Sequence, residues 1–339
     1  MSKDIFKPRL TLAPFEYPEM LEFVKPIQST YWVHDEVNFD KDVQDFKVKL
    51  TEQERHMIGT ILKTFSMTEV FVADEFWGVL GNYLPKPEVH VVCAQFTENE
   101  WRHALAYHRL NEVLGLDDFE AFLEDPVAMA KFENLTKIGV GHDGKPSKKD
   151  VAKTLAIFSG FQENVALFAQ FATLRSFSTN GRNLLTNVGD IIDWSQFDEF
   201  QHAKVGMWMF NKIIEENPEI WTDEFKNEIY TAAKISLDLE VGLIDQMFIH
   251  GDLPNLKKCD LINYMKYRIN LSLTTMKLRP VFTVDPEMLN NMEWFEEKFK
   301  LWSEKDFFAR RVTDYSKGLV EFTADSVFVE KDQIKERKL

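Results

Sequence analysis

The chain contains few of the residues that interrupt helices, with 14 glycines and 12 prolines among its 339 residues. This scarcity permits long helices. Cysteine is rarer still. Cys93 and Cys259 are isolated and form no Cys-x-x-Cys pair, which argues against a disulfide framework and against a thiolate metal site. No stretch of 18 uncharged apolar residues occurs, so no membrane-spanning helix is expected.

Positive charge is also in short supply, because 40 lysines and arginines stand against 55 aspartates and glutamates. The resulting formal net charge of −15 argues against a nucleic-acid partner. The first ten residues lack the apolar core of a signal peptide, and the predicted location is the reducing cytoplasm. Hydrophobic residues make up 45% of the chain, which is enough for a large core.

Two Glu-x-x-His motifs, Glu100–His103 and Glu199–His202, are the only ones in the chain. Side chains three or four residues apart lie on one face of a helix, so Glu100 and His103 share a face with Tyr107. The neighbours on that face are apolar. An ionised carboxylate in such a stripe is costly unless it is paired or bound to a metal.

A single glutamate precedes each motif by about one helical hairpin: Glu69 before the first, and Glu163 before the second. Both lie among apolar residues at helical spacing, whereas Asp74 and Glu75 turn away from the apolar stripe. Two helices with an inward Glu, and two more with an inward Glu-x-x-His, are typical of the ferritin-like di-metal carboxylate bundle.

Four carboxylates and two imidazoles make an oxygen-rich ligand set that suits iron or manganese. One Glu-x-x-His pair alone more often marks an exposed ion pair, and one buried Glu more often a salt bridge. Their repetition in matching order favours a metal site. We therefore predict an all-α, ferritin-like helical bundle with a di-metal carboxylate site. Its predicted metal ligands are Glu69, Glu100, His103, Glu163, Glu199 and His202.

Helix starts are visible as capping boxes at Thr51–Glu54 and Ser147–Asp150. Long helices are predicted to follow them, and to cover about 187–214 and 222–249 as well. The predicted domains are an extended N-terminal arm (1–30), the helical metal-binding domain (31–305) and a flexible C-terminal tail (306–339).

With these ligands in this order, residues 27 to 322 resemble the small, radical-generating (beta) subunit of class I ribonucleotide reductase. The resemblance implies that Tyr107 is the radical tyrosine, and that Trp32, Asp198 and Tyr315 form a radical-transfer relay. It also implies a homodimer, and a large (alpha) subunit on which the tail docks and which reduces ribonucleotides. Asp198 precedes a metal-binding Glu directly, where it can hydrogen-bond the far nitrogen of a ligand histidine.

One ligand departs from the commonest pattern of that family, which has Asp where this chain has Glu69. Glu at this position resembles subgroups that use manganese, so Mn/Mn or Mn/Fe is favoured, with Fe/Fe still open. The mixed-metal subgroup replaces the radical tyrosine by Phe, but Tyr107 is present here. The aligned wall beside it consists of Leu167, Phe171 and Ser195. Whether Tyr107 or the metals store the oxidant is left open.

Two alternatives have the same ligands. A di-metal oxygenase or acyl desaturase would need a substrate channel and no tail relay. A ferritin-like metal-storage protein would assemble into a shell and act without a partner. The combination of Tyr107, Asp198 and Trp32 favours the reductase subunit. The absence of a glycine-rich phosphate loop from the sequence agrees with a subunit that has no nucleotide pocket.

Overall fold

The computed structural model describes residues 3–116, 118, 123–138, 146–179 and 181–297. Every regular element in these ranges is helical, which confirms the predicted all-α bundle. The α-helices are α1 (Glu19–Ser29), α2 (Asp40–Gln44), α3 (Glu52–Phe71), α4 (Gly78–Leu80), α5 (Pro87–Leu114), α6 (Pro126–Ile138), α7 (Lys148–Ile157), α8 (Phe168–Ser176), α9 (Thr186–Glu216), α10 (Asp223–Met247), α11 (Lys258–Thr275) and α12 (Pro286–Asn290). The π-helices are π1 (Asp45–Lys49), π2 (Val72–Trp77) and π3 (Phe158–Ala166). None of the described helices has the length and hydropathy needed to cross a membrane.

Four long helical segments enclose the centre of the molecule: α3, α5, the continuous α7–π3–α8 segment, and α9. The α3 and α5 helices pack side by side, and Asn111 of α5 donates from Nδ2 to the Leu62 carbonyl and to Ser66 Oγ of α3. The α9 helix packs against α7, π3 and α8, and α11 covers π3 from another side. The predicted ligands therefore lie on four walls of the same interior: Glu69 on α3, Glu100 and His103 on α5, Glu163 on π3, and Glu199 and His202 on α9.

Both predicted capping boxes are present at helix starts. Thr51 accepts from the Glu54 backbone N–H at the start of α3, and Glu54 accepts in return from the Thr51 backbone. Ser147 and Asp150 make the same reciprocal pair at the start of α7. Each box satisfies backbone N–H groups that have no partner within the helix. Local side-chain chemistry therefore fixes where these two helices begin.

The N-terminal segment 1–30 is not wholly extended, because α1 forms within it. Met20, Val24 and Ile27 lie at helical spacing and are buried, while α1 packs against α5 and α9. Pro26 lies inside the helix, which obscures the helical signal in the sequence because proline normally interrupts helices. Burial of one apolar stripe outweighs this unfavourable residue.

The π-helices were not predicted, and two of them adjoin the predicted ligands. π2 begins three residues after Glu69, and π3 contains Glu163. A π-helix has a wider turn than an α-helix, and it occurs frequently at functional sites. Close packing holds π3 against α9, since a Cβ atom at Gly206 would come 1.8 Å from Ser159 Oγ. Only glycine allows α9 to approach π3 so closely.

Candidate metal centre

The two Glu-x-x-His motifs face each other across the interior, one on α5 and the other on α9. His103 Nδ1 lies 3.0 Å from Glu199 Oε1, and His202 Nδ1 lies 2.8 Å from Glu100 Oε1. Each histidine therefore points at the glutamate of the opposite helix. All four side chains are at most 1% exposed.

The two single glutamates complete the cluster from the other walls. Glu69 Oε2 of α3 lies 3.9 Å from His103 Nδ1, and Glu163 Oε1 of π3 lies 4.0 Å from His202 Nδ1. Asp74 is exposed, as predicted, and cannot take the place of Glu69. The structure thus brings together all six residues that the sequence analysis selected as ligands.

The six residues form two overlapping groups, in each of which the ligand atoms lie within 4.8 Å of one another. Glu69 and His103 belong only to one group, and Glu163 and His202 only to the other. Two glutamates, Glu100 and Glu199, belong to both. This is the arrangement expected for two neighbouring ions that share two carboxylate ligands.

The donor atoms fit metal ions because they are buried without hydrogen bonds to satisfy them. Among the described residues, these unsatisfied atoms include Glu69 Oε1, both carboxylate oxygens of Glu100, Glu163 Oε2, Glu199 Oε1, and Nδ1 of both histidines. Buried polar atoms without partners are rare in folded proteins, and they are concentrated here. Oxygen and imidazole donors suit iron or manganese.

Both histidines are held from behind through Nε2. His103 Nε2 lies 3.2 Å from Asp198 Oδ2, which confirms the predicted contact of Asp198 with a ligand histidine. The side-chain amide of Asn99 lies behind His202, 3.3 Å from its Nε2 atom. Such partners fix the imidazole orientation and leave the other nitrogen free for a metal. Sequence reasoning missed Asn99, although it precedes Glu100 as Asp198 precedes Glu199.

Trp77 is another contact that sequence reasoning missed. Its Nε1 atom donates to Glu163 Oε1 over 2.7 Å, so a residue of π2 holds a predicted ligand carried by π3. The α-helical spacing did not indicate that Trp77 faces Glu163, because π2 changes the direction of the side chains that follow Glu69.

The Trp32 indole connects to the cluster through Asp198. Its Nε1 atom donates to Asp198 Oδ2 over 2.9 Å, the same oxygen that faces His103. The Trp32 and His103 rings are nearly parallel, with centroids 5.7 Å apart. Arg102 lies over the Trp32 ring, and its Nη1 atom is 3.9 Å from Asp198 Oδ2. Trp32, Asp198 and His103 therefore form one continuous buried path.

Tyr107 is fully buried beside this cluster. Its ring centroid lies 4.7 Å from that of Phe65 and 6.3 Å from that of His103. Its hydroxyl has no well-formed hydrogen bond in the described part of the chain. Burial and then the charge of Glu69 raise the pKa of Tyr107 well above its usual value, while Ser195 acts in the opposite direction. Tyr315 lies outside the described residues.

Burial and mutual repulsion govern the acidities of the metal-free cluster. Burial, then the charges of Glu100 and Glu199, raises the pKa of Glu69 well above its usual value. Burial likewise raises the pKa of Glu163. For Glu100 burial is outweighed by His202 and His103, which lower its pKa. Burial opposes the protonated form of His202, but Glu100 outweighs it and raises the His202 pKa to about 10.

We expect the metal-free protein to lose stability as the pH rises from 6.5 to 9. The folded-state pKa values of His202 and His103 lie above the unfolded value of 6.5. The stability that these protons contribute is complete below pH 6.5 and is lost as the pH rises. The raised pKa values of Glu69 and Glu163 act in the same direction. Calorimetric Tm values at pH 6.5 and 9 measure the effect.

The metal-loaded protein is the control for this pH series. Bound metals require deprotonated ligands, so the cluster should contribute no such slope once it is filled. A metal-free Tm that falls no more steeply than the metal-loaded Tm would contradict the expectation.

Comparison with known proteins gives a consistent picture. The family model for "Ribonucleotide reductase, small chain" matches residues 9–291. The chain is 29% identical over 327 residues to a probable ribonucleoside-diphosphate reductase small subunit of Invertebrate iridescent virus 3, covering 91% of this chain and 85% of the relative. It is 33% identical to the ribonucleoside-diphosphate reductase small chain of Plasmodium falciparum (isolate Dd2), covering 94% and 87% respectively.

Solved structures share the fold. The ribonucleotide reductase R2 subunit from Clostridium botulinum has a TM-score of 0.76 and 18% identity, with 88% of this chain and 98% of that chain covered. Dimanganese(II)-NrdF from Streptococcus sanguinis has a TM-score of 0.72 and 18% identity, with coverages of 85% and 100%.

Proposed function

The chain belongs to the ribonucleotide reductase small-chain family, and from this premise we propose that its six buried carboxylate and imidazole groups hold the two metal ions of a radical-generating centre. As a class I small subunit it is part of ribonucleoside-diphosphate reductase, an oxidoreductase. The observation that carries the proposal is the pair of overlapping ligand groups that share Glu100 and Glu199. Neither a di-metal oxygenase or desaturase nor a metal store is favoured.

Each residue of the cluster has a defined task in this proposal. Glu69 and His103 would hold one ion, Glu163 and His202 would hold the other, and Glu100 and Glu199 would contribute to both. When bound, two such ions supply a one-electron oxidant after reaction with an oxygen species. The protein walls exclude water from this centre, because every ligand is at most 1% exposed.

The outward path for the oxidising equivalent runs along the chain's own side chains. Asp198 Oδ2 lies within hydrogen-bond distance of both Trp32 Nε1 and His103 Nε2. When an electron leaves Trp32, its N–H becomes more acidic, and Asp198 is placed to accept that proton. Tyr107 stands apart from this path beside Glu69, where burial disfavours its anionic form, and it is one of two candidate stores of the oxidant, the other being the metal pair.

Manganese in at least one position is the favoured metal, and this choice rests on two observations. Glu69 stands where the commonest pattern of the family has Asp, and glutamate at this position resembles subgroups that use manganese. A structural neighbour of this chain is itself a dimanganese(II) protein. Manganese and iron prefer the same oxygen and imidazole ligands, so the ligand set alone does not distinguish them.

Reconstitution of the metal-free protein tests both the function and the metal. Manganese alone, iron alone, or both would be added, followed by dioxygen or superoxide. Conversion of a ribonucleoside diphosphate to its deoxy form would then be measured with the large subunit present. We expect activity in at least one manganese-containing sample. Full activity with iron alone would refute the metal assignment, and inactivity of every sample would refute the function.

The partner of this subunit is the large subunit of the reductase, and we propose that residues 306–339 dock on it. Deleting residues 313–339 should leave metal loading intact and abolish both binding to the large subunit and nucleotide reduction. The matched variant is Tyr315→Phe in the full-length chain. It should bind the large subunit normally, as measured by calorimetry, and fail in reduction. Full activity of either protein would contradict the proposed tail relay.

A homodimer is also proposed, and α5 offers a surface for it. Trp101 and Leu105 lie one helical turn apart on α5 and are 39% and 56% exposed. Exposed large apolar side chains that cluster mark association surfaces. Light scattering that gives the mass of one chain at micromolar concentration would exclude the dimer.

A further inference from the structure

Backbone carbonyls of the π3 helix accept hydrogen bonds from side chains of a neighbouring helix. Ser272 Oγ of α11 donates to the Gly160 carbonyl over 2.5 Å. One turn earlier on α11, Arg268 Nε donates to the Asn164 carbonyl over 2.9 Å. These two carbonyls of π3 lie on either side of Glu163 in the sequence. The ligand therefore stands between two backbone positions that a neighbouring helix holds.

Hydrogen bonds between side chains connect these two contacts into one network. Arg268 Nη2 donates to Asn164 Oδ1 over 2.5 Å, and Asn164 Nδ2 donates to Ser272 Oγ over 2.7 Å. Arg268, Ser272 and Asn164 are all at most 4% exposed. Buried donors and acceptors are expensive to leave without partners, so these groups maintain one fixed geometry. A Cβ atom at Gly160 would come 3.0 Å from Met276 Cε, which shows how tightly α11 lies against π3.

A third carbonyl of π3, at its C-terminal end, also accepts a hydrogen bond from another helix. Lys131 Nζ of α6 donates to the Ala166 carbonyl over 3.2 Å and pairs with Glu240 Oε1 of α10 at 2.8 Å. Lys131 and Glu240 are 4% and 1% exposed. Three carbonyls of one π-helix thus accept hydrogen bonds from two other elements of the fold.

The register of π3 decides where Glu163 points. A π-helix accommodates an extra residue relative to an α-helix. Relaxation of π3 to an α-helix would displace that residue and turn those beyond it by about 100°, because an α-helix has 3.6 residues per turn. Such a rotation would move Glu163 away from His202. It would also break the hydrogen bond that Trp77 donates to Glu163. The ligands on α3 and α5 would not move.

We propose that Arg268 and Ser272 are positioning residues that hold π3 in its π conformation and thereby keep Glu163 in the metal centre. This inference rests on the proposed function, because it assigns these residues to the Glu163–His202 half of that centre. Neither residue touches the cluster itself. Their effect passes through the Gly160 and Asn164 carbonyls to the ligand between them.

The test is manganese binding to the full-length Arg268→Met protein, which keeps the side-chain length and removes the donors. We expect bound manganese to fall from about two ions per chain to about one, with at least about tenfold weaker binding of the second ion. Electron paramagnetic resonance should show the signal of isolated Mn(II) in place of a coupled pair. Arg268→Lys, which retains one donor, should recover part of the second ion.

The matched control is Arg175→Met. Arg175 is also largely buried, at 12% exposure of its side chain, and it pairs with Asp193 rather than with π3. This variant should keep two ions and the coupled signal. Two ions bound with unaltered affinity in Arg268→Met would overturn the inference, as would equal loss of both ions.

Ser272→Ala provides a second and milder variant if Arg268→Met does not fold. It removes the donor to Gly160 and should weaken the second ion selectively. Unaltered binding in Ser272→Ala would then overturn the inference. A wild-type chain that binds no metal would instead refute the proposed function, so the two failures are distinguishable.

Discussion

Trp32→Phe should leave both metals bound and lower ribonucleotide reduction by more than about 100-fold, equivalent to roughly 2.7 kcal/mol in the barrier. Phenylalanine retains an aromatic ring beside His103 and loses the N–H that Trp32 donates to Asp198. A benzene ring is also much harder to oxidise than an indole. The measurements are metal content by mass spectrometry and turnover with the large subunit.

Trp208→Phe is the control for this variant, because Trp208 also lies in the helical domain but packs against Phe23 and Tyr17. The same chemical change there should leave turnover near that of the wild type. Wild-type turnover in Trp32→Phe would show that the indole only fills space. Loss of metal in Trp32→Phe would show that it acts on the ligands instead of on the path.

The second large effect is expected at a shared ligand. Glu100→Ala should reduce bound metal from about two ions per chain to near zero, because Glu100 belongs to both ligand groups. Glu69→Ala removes a ligand from one group only and should retain about one ion. Removing one coordinating group weakens a site by orders of magnitude when few others remain. Metal analysis after dialysis against metal-free buffer distinguishes the two results.

Glu75→Ala is the matched control, since Glu75 lies in π2 close to Glu69 in sequence and is exposed. It should retain two ions. If Glu100→Ala and Glu69→Ala lost metal equally, the assignment of Glu100 as a bridging ligand would be wrong. Circular dichroism on each variant separates metal loss from unfolding.

The clustering of the six predicted ligands could be foreseen because their pattern is local. A spacing of three positions between Glu and His on a helix places both on one face, and this holds whatever surrounds the helix. Asp198 followed from its position beside Glu199. The same reasoning, applied to the residue before Glu100, would have found Asn99. The roles of Tyr107, Trp32 and Tyr315 came from family resemblance, and the Trp32→Phe and Tyr315→Phe variants test the last two.

What the sequence did not reveal depends on distant packing. The π-helices were not recognised from the sequence, and the contacts that hold π3 come from Arg268, Ser272 and Lys131 on other helices. Trp77 reaches Glu163 because two separate π segments meet. Helix α1 was not predicted because it contains a proline, which argues against a helix. Its apolar stripe of Met20, Val24 and Ile27 is buried against other helices.

The two histidines of the cluster differ in what stands behind them, and this makes a nearly symmetric centre electrically unequal. Asp198 places a carboxylate behind His103, whereas Asn99 places a neutral amide behind His202. Arg102 offsets part of that negative charge from the far side, at 3.9 Å. Positive charge is better tolerated on the side of His103, which is also the side that adjoins Trp32. Under the proposed function, the residue immediately before each shared glutamate therefore decides which half of the centre better tolerates positive charge.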